Sequence, residues 1–234
     1  MAKTYTLKIS FLSRAVIASA EGYGAVVDTD IMFDDLGIPY IPARRIKGCL
    51  RDSAIEVLDM LSQAGIGDLI NLGFQNSKDD KFRYDIVNEL FGVPGMDTVS
   101  SISFTNLYIK DYGSVRQWLE YLMESKDSRA FISRDAVTSY YTELTQQTAI
   151  DESTGTAKKH SLRTTRCVKS GVEFYGEIKV ACESSDYETL LCLSAMNFRF
   201  IGSMRTRGFG RVECSIGGVN CDLILQKLEG LCIS

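Results

Sequence analysis

One histidine, no CxxC pair and no uninterrupted apolar stretch of membrane-spanning length are present in the 234 residues of this chain. Each absence excludes something. Zinc sites are built from paired cysteines or neighbouring histidines, so His160 alone, with cysteines scattered at 49, 167, 182, 192, 214, 221 and 232, argues against one. The seven cysteines are odd in number and are expected as free, small buried side chains. Without about 18 consecutive apolar residues no membrane helix is expected. Met1–Thr6 runs straight into an alternating pattern instead of a signal-peptide core, which predicts a cytoplasmic protein. Positive charge is not in excess either, since the net charge is −4. That weighs against a freestanding nucleic-acid binder but not against a local basic groove.

What is present is an ordinary apolar fraction, 45%, enough for a core without staples. The basic residues are clustered, at 44–51, 158–169 and 199–211. Tyr5, Leu7, Ile9 and Phe11 alternate with polar residues and predict a half-buried strand. Pro39 and Pro42 keep the following segment extended, and a helix is predicted from just after Pro42 to Gly65. Its apolar side is Ile46, Cys49, Leu50, Ala54, Val57, Leu58 and Leu61. A short helix at 84–91, a strand at 101–109, and a helix near 112–124 with Val115, Trp118, Leu119 and Leu122 inward are expected next. Residues 125–161 read as mixed, polar and flexible. Strands follow at 162–168 and 172–181, then a helix at 186–198 and a strand near 208–216. Reduced to its framework, the order is strand, helix, strand, strand, helix, strand. This predicts one α+β domain over residues 1–234, with a ferredoxin-like (RRM-like) core and large insertions.

Two segments carry the chemistry. In Tyr40-Ile41-Pro42-Ala43-Arg44-Arg45-Ile46-Lys47-Gly48-Cys49-Leu50-Arg51, four cations crowd a helix start. Cations there oppose the helix dipole unless an anion arrives, and free N–H groups at that end suit phosphate. Arg44, Lys47 and Arg51 recur at one-face spacing with Arg45 beside them, although a solvated helix face has the same appearance. The partner segment, Gly202-Ser203-Met204-Arg205-Thr206-Arg207-Gly208-Phe209-Gly210-Arg211, interleaves glycine with arginine. Glycine admits close backbone approach and arginine grips phosphate. If the two segments meet in the folded molecule, they form one surface for a polyanion. Asp28 and Asp30 would share a face of an extended strand, and are equally read as turn carboxylates.

These segments resemble the RAMP superfamily of CRISPR-associated proteins, in particular the Cas7-like backbone subunits of type III effector complexes. Pro39–Arg51 is similar to the family's "IPG-x-x-hydrophobic-KG-x-x-R" signature, with Ala43 in place of the usual glycine. Val87–Gly92 resembles its "LFG" helix end, Arg163–Phe174 a segment before a family strand, and Gly202–Gly210 its C-terminal glycine-rich loop. The resemblance implies a subunit stacked along a CRISPR guide RNA (crRNA). Its RNA contacts would be Arg44, Arg45, Lys47, Gly48, Arg51, Arg163, Arg166, Gly202, Arg205, Arg207, Gly208 and Gly210. It implies a thumb-like β-hairpin at about 143–162 that interrupts the guide–target duplex. The expected partners are crRNA, target RNA, Cas10-like, Cas5-like and Cas11-like subunits, and further Cas7-like copies. The resemblance also implies a possible metal-dependent cut in the target RNA, with Asp28 and Asp30 catalytic, Asp28 the metal ligand and Mg²⁺ the ion. The turn Ser19–Gly24, where the family often carries a histidine, has none. Two alternatives are a noncatalytic Cas5-like subunit that caps the guide and a Cas6-like guide-processing ribonuclease. For the latter, His160 is the one histidine available as acid or base.

Overall fold

A computed structural model describes residues 2–17, 29–66, 85–96, 100–125, 131–181 and 184–232. Asp28, Cys182 and the Ser19–Gly24 turn lie outside these residues. The fold is built on an antiparallel sheet. Strand β1 (Lys3–Phe11) runs down its middle, paired with β7 (Glu173–Val180) on one side and β8 (Val212–Gly217) on the other. Beyond β7 come β4 (Leu107–Ile109) and then β2 (Tyr40–Ile41), giving the order β2-β4-β7-β1-β8. Short β3 (Ile102–Phe104) also pairs with β7. The expected single strand at 101–109 is therefore two. The break falls at Thr105, whose hydroxyl oxygen and N–H bond the Glu177 N–H and carbonyl.

The alternation in β1 resolves as expected. Tyr5, Leu7, Ile9 and Phe11 are buried, while Thr4 and Thr6 are exposed. Helix α1 (Ala43–Gln63) lays Ile46, Leu50, Ala54, Val57, Leu58 and Leu61 into the same core. It packs against α5 (Ser185–Asn197), and the Ser53 hydroxyl donates to the Ser194 carbonyl at 2.7 Å. Its neighbour α2 (Asp85–Phe91) buries Ile86, Val87, Leu90 and Phe91. Burying a large aliphatic side chain contributes about 1.5–3 kcal/mol, so this helical layer is a principal source of stability.

Residues 131–168 hold one unexpected helix ahead of the hairpin that the resemblance implies. The polar stretch forms helix α4 (Arg134–Tyr141), capped by the Ser133 hydroxyl, followed at once by β5 (Thr142–Gln147). Strand β5 pairs antiparallel with β6 (Arg163–Val168), from Thr142↔Val168 to Gln147↔Arg163. The result is a β-hairpin whose connecting residues 148–162 are mostly exposed. Ala15 exchanges two backbone hydrogen bonds with Val168 (3.0 and 2.8 Å), which anchors the hairpin beside the end of β1.

Two further expectations are corrected. Helix α3 (Tyr112–Glu124) contains no fully buried residue. Trp118, expected to point inward, is 65% exposed and meets Tyr121 edge-on. The inward side is Tyr112, Val115, Leu119 and Met123, partly buried against the core. The thiols are not all free, because Cys192 is bonded to Cys221 and ties α5 to α6 (Cys221–Cys232). Among the described residues, Cys49, Cys167 and Cys214 are free. No described helix is long and apolar enough to cross a membrane.

Candidate nucleic-acid interface

Pro42 opens α1 without any side-chain cap, and no acidic residue occupies the first turn. At the helix start the Ala43 N–H donates to Asn106 Oδ1 at 2.9 Å. The basic residues then divide over two sides. Arg44, Lys47, Gly48 and Arg51 line a groove of about 290 Å³ whose other wall is Phe91, Gly92, Val93, Pro94 and Met96. Thus the residues after α2 and the start of α1 meet in space. Lys47 Nζ donates to Ser100 Oγ at 2.8 Å, and partial burial lowers the pKa of its ammonium. Arg51 reaches Asn88 Oδ1 at 3.4 Å.

On the other side, Arg45, Cys49, Asp52 and Glu56 follow one another at helical spacing. Cys49, Asp52, Ser53 and Glu56 share a pocket of about 190 Å³ with Asn197, Phe198, Arg199, Phe200 and Arg205. Arg205 belongs to the glycine-rich segment, so the two basic segments converge across α1.

That segment is a tightly stitched loop. The Ser203 N–H donates to the Val16 carbonyl, Ile201 N–H to Gly210 and Gly210 N–H to Arg14. Gly202 and Gly210 have φ of +84° and +77°, and a Cβ on them would lie 2.2 Å from the Val16 oxygen and 2.0 Å from the Ile201 oxygen. These two glycines serve the loop itself. Gly208, also at positive φ, and Gly48 are different, because a Cβ on either meets nothing within 4 Å. Gly48 sits in a helix interior where alanine fits, so Gly48→Ala is expected to stabilise the fold by roughly 0.5–1 kcal/mol. A thermal melt of the variant checks this.

The loop also touches the hairpin. Arg207 Nη1 donates to Gln147 Oε1 at 2.8 Å, and Gln147 faces Arg163 across the hairpin. Arg205 Nε donates to the Gly202 carbonyl at 3.1 Å, which orients its guanidinium toward α1. Arg14, not singled out from the sequence, covers the Phe209 ring at 4.5 Å and lies 3.5 Å from Glu143. Arg199 was missed as well; only the cluster at 199–211 hinted at it.

Arg166 and Asp30 are brought together, but with each other. Arg166 Nε lies 3.1 Å from Asp30 Oδ1, which also accepts the Ile31 N–H at 2.8 Å. Asp30 is only 6% exposed, in a small pocket walled by Arg134, Asp135 and Thr138. The Arg166 N–H holds the Thr29 carbonyl at 3.0 Å, so the chain next to Asp28 is tied to the hairpin root. No group of three or more His, Cys, Asp or Glu among the described residues is placed to hold a metal ion. Asp30 alone, already paired with a guanidinium, does not make a Mg²⁺ site, so no chemical step is assigned through a metal.

An antiparallel sheet backed by helices, with a projecting hairpin and a glycine-rich loop beside a basic helix, defines the class: an α+β fold shared with two solved structures. One is "Type III-B Cmr-beta Cryo-EM structure of the Apo state" (TM-score 0.60, 13% identity, 91% of this chain and 96% of that one). The other is "Cryo-EM structure of the Type III-B Cmr-beta bound to cognate target RNA" (TM-score 0.62, 13% identity, 95% and 98%). The model of the RAMP superfamily matches residues 8–213, and the chain belongs to that superfamily. No curated protein sequence matches it.

Proposed function

We propose that this protein is a Cas7-like, guide-RNA-binding subunit of a type III CRISPR effector complex, working with target RNA and other Cas subunits in the cytoplasm. The observation that carries the reading is the convergence of the α1 cations and the 202–210 loop on either side of the bare backbone at Gly48. Glycine stands there although alanine would favour the helix, and it lets a sugar-phosphate strand lie close to the backbone. Membership of the RAMP superfamily and the fold shared with chains of a type III-B complex support it. The chain order β1-α1-β4-β7-α5-β8 with spatial order β4-β7-β1-β8 supports a ferredoxin-like core. The β5–β6 hairpin takes the part of the thumb. Ile150 and Leu162, 56% and 62% exposed along it, are suited to separate stacked bases.

Cleavage of the target is the second part of the reading. The RNA's own 2′-oxygen, attacking in line, forms a bond to phosphorus and expels the 5′-oxygen, leaving a cyclic phosphate and a 5′-hydroxyl. The residue to test is Asp28, since Asp30 is committed to Arg166. In the assembled complex, Asp28→Asn is expected to abolish cutting of a complementary RNA while leaving its binding unchanged. Asp30→Asn is expected instead to lower stability by about 1–3 kcal/mol, because it leaves the half-buried Arg166 guanidinium without its counter-charge. Undiminished cutting by the Asp28 variant removes the nuclease assignment and leaves the binding one standing.

A further inference from the structure

The pocket between α1 and residues 197–205 is an odd neighbour for a phosphate groove, because two carboxylates, Asp52 and Glu56, line it beside Arg199 and Arg205. Asp52 and Glu56 lie four residues apart on one helix face, an arrangement of like charges that is unfavourable in itself. Glu56 has a partner: Asn197 Nδ2 donates to its Oε2 at 2.9 Å. Asp52 is different, since among the described residues no hydrogen bond reaches its carboxylate. Partial burial raises its pKa, and the nearby Arg51 and Arg205 charges oppose that rise. Asp52 is exposed, so its carboxylate is free to accept a hydrogen bond from a bound strand in exchange for water. It stands one helical turn beyond Gly48, where the backbone is open, and beside Arg205, which faces it from the glycine-rich loop.

Every ribonucleotide carries one donor whatever its base, the 2′-hydroxyl. We propose that Asp52 accepts a hydrogen bond from the ribose 2′-hydroxyl of the strand whose phosphates are held by Arg44, Lys47 and Arg205, and thereby selects RNA over DNA. The inference rests on the guide-binding reading and names how that same site recognises its ligand. It accounts for a carboxylate inside a basic surface, and it requires no particular sequence in the bound strand.

The test measures binding of the full chain to two oligonucleotides of one mixed sequence, one ribose and one deoxyribose, at fixed salt. A hydrogen bond to a charged acceptor is worth about tenfold or more in affinity. Wild type is therefore expected to favour the ribose strand by about tenfold, and Asp52→Ala to bring the ratio near unity. Its affinity for the deoxyribose strand should hold or rise, since a negative charge is removed. Asp52→Asn, which keeps an acceptor oxygen, should recover part of the preference. An unchanged ribose-to-deoxyribose ratio in Asp52→Ala overturns this inference alone. So does a variant whose preference among bases shifts while its sugar preference stays. Failure of wild type to bind either strand overturns the guide-binding reading and this inference with it.

Discussion

Replacing Arg44, Lys47 and Arg205 together by alanine is expected to weaken binding of single-stranded RNA by about a hundredfold near 0.1 M salt. The arithmetic is that of counterion release. Each phosphate contact on a single strand contributes about 0.7 to the slope of log affinity against log salt, so three contacts account for roughly two units of slope. The triple variant should therefore bind more weakly and respond less to salt, with the curves converging toward 1 M. These three are preferable to Arg51, which is half-buried and bonded to Asn88, so that its removal mixes folding with binding. Arg44 and Arg205 are exposed, and the losses are one hydrogen bond from Lys47 to Ser100 and one from Arg205 to the Gly202 carbonyl. The melting temperature should accordingly move little. Titrations by fluorescence anisotropy at several salt concentrations measure both quantities. Full affinity with an unchanged slope would show that RNA does not lie across α1.

The elements that sequence reading located best are those with one wet and one dry side. Strand β1 and helix α1 both have regular apolar periodicity, and both appear within a residue or two of their expected bounds. Helix α3 failed for a geometric reason. Val115, Leu119 and Met123 form a usable inward stripe, but Trp118 and Leu122 lie close enough on the helical wheel to be assigned to the same face. The hairpin at about 143–162 was expected from the family resemblance and a strand at 162–168 from the sequence, whereas Thr142–Gln147, largely polar on both faces, gives no alternation that marks its strand unaided. Of the candidate site, the two glycine-and-arginine segments were visible from composition, and their meeting across α1 was stated as the condition on which the reading depended. What could not be seen were partnerships at long range. Asp30 and Arg166 are 136 residues apart and Arg207 and Gln147 are 60 apart. Nothing local in either segment marks such a pair, so Asp30 and Arg166 carry the same sequence signature whether they meet RNA or each other.

The largest loss of stability from a single small substitution is expected at Gly210. Its φ of +77° is costly for any residue with a Cβ, and the added carbon would lie 2.0 Å from the Ile201 carbonyl oxygen, an atom of the backbone that cannot step aside. The same two residues share the hydrogen bond from Ile201 N–H to Gly210 carbonyl at 2.8 Å, so relieving the overlap breaks the stitch that closes the loop. Gly210→Ala should cost about 3 kcal/mol or more and lower the melting temperature by about 10 °C. Gly208→Ala is the control. Its φ is +80°, but nothing lies within 4 Å of the new carbon, so only the conformational cost, about 1 kcal/mol, remains. The contrast isolates the loop's close approach from its handedness. Because Arg205 is oriented by the Gly202 carbonyl and Arg207 by Gln147, opening this loop moves both guanidiniums away from α1 and the hairpin root. Gly210→Ala should therefore lose RNA affinity even at temperatures where the protein remains folded, whereas Gly208→Ala should retain most of it. Equal melting temperatures for the two variants would mean that the loop is not closed by the contact between Gly210 and Ile201, and the arginines it carries would lose their assigned positions.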